Sequence, residues 1–176
     1  MDNKPDDSAK KSRRTKVVLA VLAVVVLACA ASGYGLYGLA LGYRSRDARS
    51  NLEILWTRVL TYSVQVLPPE RRTPGETHQG LPPSVGPSPN GAPGKRALIW
   101  VDEPGSVWQR IGFRPANATF FVYQIVSDRQ AGTLILRAEG DVDGDGVRGR
   151  YEIRARTNSF GVPERDPGVF AENDGE

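Results

Sequence analysis

Cysteine and histidine are nearly absent from the 176 residues, with one of each, and both scarcities remove chemistry. Cys29 alone cannot close an internal disulfide, and one Cys with one His cannot build a zinc site from those ligands. The single histidine, His78, stands in a Pro/Gly-rich stretch with nothing nearby in sequence to fix a general base and its orienting partner. A net charge of one sign is also missing from most of the chain. The formal +3 arises in the first 16 residues, where Lys4, Lys10, Lys11, Arg13, Arg14 and Lys16 meet three Asp; beyond them basic and acidic residues are equal in number. A pI near 9.2 therefore does not signal a nucleic-acid partner, which requires cations on the folded part. No phosphate-cradling glycine loop and no nucleophile with its base is visible, so the sequence argues against an enzyme and against a small-molecule substrate.

What the chain has instead is a long uncharged run. Val17 to Gly42 spans 26 residues without a charge, and a helix needs only about 20 to cross a bilayer. The expectation is a transmembrane helix over 17–42 behind a cytoplasmic basic tail, 1–16. The basic flank outweighs Arg44, Arg46 and Arg49 beyond the run, which predicts a single-pass inner membrane protein with its C-terminal part periplasmic or extracellular. Tyr34, Tyr37 and Tyr43 suit the far boundary. A cleaved signal peptide is the competing grammar, and Val26 to Cys29 loosely matches a lipobox, but the apolar run continues well past Cys29.

Residues 43–67 read as an amphipathic helix continuing from that run. Leu52, Leu55, Trp56, Val59 and Val66 share one face, which asks for a packing partner. Pro68 and Pro69 end the pattern. Residues 68–96 hold eight Pro and five Gly and read as a linker or long loop. A small antiparallel β domain is expected over 97–163, with strands at 97–101, 120–126, 133–138 and 151–156 and a helical turn near 107–111. In the last strand Tyr151, Ile153 and Ala155 alternate with Glu152, Arg154 and Arg156, one face buried and one wet. So short a sheet makes a marginal core alone, and the amphipathic helix is the layer that completes it. The acidic stretch 164–176 reads as a flexible tail.

The sharpest local signal joins the last two strands, GDVDGDGVRGRYE. Asp141, Asp143 and Asp145 occupy positions 1, 3 and 5 of a calcium-type loop, Gly146 position 6 and Glu152 position 12, with Val147 offering its backbone carbonyl. Alternate carboxylates converge on a hard cation only where the backbone turns sharply, and Gly146 allows that turn. Ca2+ is the cofactor this spacing implies, with Asp141, Asp143, Asp145, Val147 and Glu152 as its ligands. A plain polar turn accounts for the same residues, with the Asp side chains bonded to nearby amides and Glu152 paired with Arg154 or Arg156.

A basic flank, an apolar helix running into Asp47 to Leu67, the element Trp108, Gly112, Phe113 and Pro115, a β-meander and the turn Gly140 to Gly146 follow one another in an order that resembles type IV pilins and type II secretion pseudopilins. The resemblance implies an α+β pilin-like fold in which a long N-terminal helix, transmembrane then amphipathic, packs on a small antiparallel sheet. It also implies a non-catalytic structural or assembly role, with the membrane and other pilin-like or secretion-system subunits as partners. Thr15, Lys16, Val17 and Val18 stand where that family carries its prepilin cleavage junction, which implies a domain retained in the membrane. The other reading of the residues is an exported calcium-binding domain or lipoprotein unrelated to filaments.

Overall fold

A computed structural model of the chain describes residues 7–66, 80–91, 93–94 and 96–174, and within the first helix the side chains of 21–30 and 42–66. His78, residues 1–6 of the basic tail, Leu67 at the end of the expected amphipathic helix, the 68–79 part of the expected linker and the side chains of Tyr34 and Tyr37 lie outside the described residues. The chain divides into two compact units, 1–40 and 41–176. The first is helical from Asp7, as part of α1 (Asp7–Val66), and the described side chains from Val21 to Ala30 are all exposed.

The second unit contains the remainder of α1 and a six-stranded antiparallel sheet. Its elements are β1 (Val85–Ser88), α2 (Val107–Ile111), β2 (Val122–Asp128), β3 (Thr133–Gly140), β4 (Gly149–Thr157), β5 (Pro163–Arg165) and β6 (Phe170–Glu172). The order is β1-β2-β3-β4-β5, and β6 also lies on β4, beside β5. Local chemistry sets the corners. Asp128 turns the β2–β3 hairpin by accepting the amides of Gln130 and Ala131 on Oδ1, both at 2.9 Å. Ser106 caps α2 through the Gln109 amide, and Gly112 ends it at φ 71°.

The core lies between the sheet and residues 48–59 of α1. Ala48, Leu52, Leu55, Trp56 and Val59 are buried with Tyr123, Ile125, Leu136, Tyr151 and Ile153 from the strands. Trp100, Trp108 and Phe113 close one end, their ring centroids 5.4 to 5.6 Å apart. At the other end the ring of Phe121 sits on Gly140, where a Cβ would come within 2.6 Å of it. Polar ties hold the same layers in register. Asn51 donates to the buried Tyr123 hydroxyl at 3.0 Å, and Thr119 meets that hydroxyl at 3.3 Å.

Several expectations are corrected here. The fold class, a transmembrane-then-amphipathic helix on a small pilin-like sheet, gives way to a small six-stranded antiparallel sheet. Among the described residues no helix is long and apolar enough to cross a membrane. Beyond Gly42 the helix carries Arg44, Arg46, Asp47, Arg49, Glu53 and Arg58. The 17–42 span and the single-pass inner-membrane location drawn from it are overturned by the same finding. Residues 97–101 form no strand. Leu98 makes one bridge to Thr119, Trp100 turns inward, and Ile99 and Val101 stay exposed. Val66 is exposed too, outside the buried stripe. Strand β1 lies within the stretch read as a linker, and β5 and β6 pair the sequence around the acidic tail onto β4.

Packing on the helix face makes a direct prediction for stability. Leu52→Ala removes a fully buried side chain and is expected to cost about 2–5 kcal/mol in urea unfolding. Ile54→Ala, on the exposed side of the same helix, is expected to change stability by no more than about 0.5 kcal/mol.

Candidate metal centre

The β3–β4 connection starts and ends at the paired Gly140 and Gly149. Between them the chain sends Val142 inward, 1 % exposed, and that apolar plug fixes the loop against the core. Arg44 of α1 strengthens the anchor. Its Nη1 donates to the Val142 carbonyl at 2.8 Å, and its guanidinium lies 4.1 Å from the centre of the Phe120 ring.

With Val142 pinned, its neighbours on both sides turn the other way. One ligand atom from each of Asp141, Asp143 and Asp145 falls within 4.8 Å of the others. Asp141 and Asp143 are half-buried and Asp145 is exposed. Backbone amides orient all three. Asp141 accepts Gly144 N on Oδ1 at 2.7 Å and Gly146 N on Oδ2 at 3.2 Å; Asp143 accepts Asp145 N at 3.0 Å, and Asp145 accepts Val147 N at 2.6 Å. Gly146 adopts φ 94°, a conformation that a side chain resists. These are the bonds of a polar turn, yet an ionised carboxylate keeps further lone pairs after accepting one amide. Three such groups at this spacing repel by about 1 kcal/mol per pair even in water. All-oxygen donors fit a hard divalent cation, which takes six to eight oxygens when it is calcium.

Of the remaining expected ligands, Val147 stays at this loop beside Asp145, whereas Glu152 is held elsewhere. Val147 contributes its amide to Asp145, while its side chain is exposed. Glu152 is the one that the structure corrects. Its position on β4 faces Arg137 across the ladder, and its carboxylate is occupied there. Arg137 Nε donates to Oε1 at 2.8 Å, and Arg154 Nε and Nη2 donate to Oε2 at 2.9 and 2.7 Å. Glu152 is also not on a wet face, being only 3 % exposed. Phe170 of β6 pairs opposite it and carries the Arg154 guanidinium 4.2 Å from its ring centre.

Arg137 is the residue that sequence reasoning missed. Closing the hairpin at Gly140 and Gly149 places it opposite Glu152, so the register carried the signal. The pair belongs to a longer chain of charges in which Arg150 joins Glu139 at 2.9 Å and Glu172 at 3.3 Å. Burial pushes the Glu152 carboxyl up, but the hydrogen bonds and charges of Arg154 and Arg137 outweigh it and hold it below the usual carboxylate range.

A depressed folded-state value means that this group's contribution is complete above its unfolded value, about 4.3, and is lost as pH falls through the lower folded value. Glu152→Gln is therefore expected to cost about 1–3 kcal/mol at neutral pH. The difference from the unaltered chain should shrink as unfolding is measured at progressively lower pH below about 4.3. Comparison of the chain with protein-family models, curated proteins and solved structures finds no match.

Proposed function

We propose that residues 41–176 form a non-catalytic module for assembly or partner contact, stabilised by calcium at Asp141, Asp143 and Asp145. The observation that carries the cation is the convergence of three carboxylates within 4.8 Å on a loop already oriented by its own amides. A cation there offsets their mutual repulsion and holds the β3–β4 corner in one conformation. Glu152 is not part of this proposed set, since two arginines hold it.

The non-catalytic reading rests on how the buried polar groups are used. Tyr123 is held by Asn51 and Thr119, and burial pushes its phenol well above the usual range. Glu152 is held by Arg137 and Arg154. Both constellations lock layers or strands together. An assembly role is what the resemblance to pilins and pseudopilins implies, and it is proposed without a membrane anchor.

Millimolar calcium is expected to raise the melting temperature of the chain, with a hundredfold excess over Kd worth about 2.7 kcal/mol. Asp143→Asn should abolish most of that rise while leaving the calcium-free protein as stable or slightly more so, because one repelling charge is gone. A melting temperature indifferent to calcium would remove the cation from the proposal.

A further inference from the structure

Strand β6 is three residues long and covers only the 150–152 edge of β4, through Arg150↔Glu172, Tyr151↔Ala171 and Glu152↔Phe170. The segment that leads to it, 166–168, is exposed and turns at Gly168 with φ 79°. On its opposite side β4 is registered with β3 over eight pairs, from Thr133↔Arg156 to Gly140↔Gly149, so β4 keeps a full neighbour whether or not β6 is in place.

The end of β6 is fixed chiefly by one side chain. Asp174 accepts Arg49 Nη2 on Oδ2 at 2.6 Å and the Tyr151 hydroxyl on Oδ1 at 3.1 Å. Arg49 belongs to α1 and lies 5.2 Å from the centre of the Tyr151 ring, and Tyr151 is fully buried. One carboxylate thus joins the helix, the core of β4 and the C-terminal strand. Further ties are the Asp166 amide donating to the Arg154 carbonyl at 2.8 Å, the partly buried Val169 and Ala171, the partly exposed Arg150–Glu172 pair, Arg154 on the Phe170 ring, and Asn173 Nδ2 donating to the Arg148 carbonyl at 3.1 Å.

We propose that residues 166–174 are a strap, locked by Asp174 on Arg49 and Tyr151, that opens and closes over the 150–152 edge of β4 as one unit while the rest of the sheet stays folded. The physical basis is a contrast. A three-residue strand that, with its lead-in, adds only the partly buried Val169 and Ala171 to the core opens at lower cost than the β2–β3–β4 ladder, whose inward side chains belong to the fully buried interior. Opening bares backbone donors and acceptors along β4 and parts Phe170 from the Arg154 guanidinium and from its register partner Glu152. Closing shields an edge that would otherwise template pairing with another strand. Because the Arg49–Asp174 pair is partly exposed, at 37 and 53 %, added salt weakens the lock.

Amide hydrogen exchange on the full chain tests this, with Asp174→Ala, Arg49→Ala and the double variant compared. In Asp174→Ala the amides protected by the β4–β6 ladder should exchange roughly five- to thirty-fold faster, the range a loss of one or two kcal/mol produces. Those of the β2–β3 ladder, such as Tyr123 and Leu136, should be unchanged. Arg49→Ala should reproduce the pattern, and the double variant should fall short of the product of the two effects, because both changes break one contact. Raising the salt should speed exchange in the unaltered chain at the same amides. Uniform acceleration across β2, β3 and β4 would show that β6 is integral to the fold, and unchanged exchange in both single variants would show that Asp174 is no lock; either overturns the proposal.

Discussion

A sheet this small has an inner face too large to leave wet and too small to bury against itself. Its solution is the apolar stripe of α1. Ala48, Leu52, Leu55, Trp56 and Val59 supply the second layer over Tyr123, Ile125, Leu136, Tyr151 and Ile153. Small domains bury the least of their unfolded surface, so removing either layer leaves the other without enough apolar contact to offset the conformational entropy of folding. The positions of the loops, and of the charges they carry, follow from that contact.

Polar groups are arranged around the same joint. Asn51 reaches from the helix to the Tyr123 hydroxyl, Arg44 to the Val142 carbonyl and Arg49 to Asp174. Glu53 pairs with Arg165 from the far side of β4. These tie α1 in turn to β2, to the β3–β4 loop, to the chain just after β6 and to β5. The acidic loop inherits its geometry from this framework: Arg44 and the buried Val142 set its first half, and the Gly140–Gly149 pair sets its width. Glu152 and its two arginines do a comparable task between β3 and β4, with Arg154 lying against the Phe170 ring.

Patterns with a clear period were legible in the sequence. The helix stripe at 52, 55, 56 and 59 and the alternation in β4 at Tyr151, Ile153 and Ala155 mark residues that are buried in the core. The carboxylates at 141, 143 and 145 stand together, and only their spacing was needed to see it. Elements that owe their conformation to a neighbour were not legible. β1 reads Val-Gly-Pro-Ser and becomes a strand only through its pairing with β2, and β5 and β6 are three residues each. Glu152 was misassigned because loop spacing and strand register made opposite claims on it. Register prevailed, since Arg137 and Arg154 bind both carboxylate oxygens. The membrane reading rested on the hydropathy of 17–42 alone, and among the described residues no helix is long and apolar enough to cross a membrane.

The most direct measurement of the helix–sheet dependence compares a fragment of residues 80–176 alone with the same fragment mixed with a peptide of residues 41–66, by near-ultraviolet circular dichroism and thermal melting. The fragment alone is expected to show no fixed aromatic signal and no cooperative transition, with both restored on addition of the peptide. A cooperative melt and an ordered aromatic spectrum from the fragment by itself would contradict the account, because the sheet would then have a core of its own.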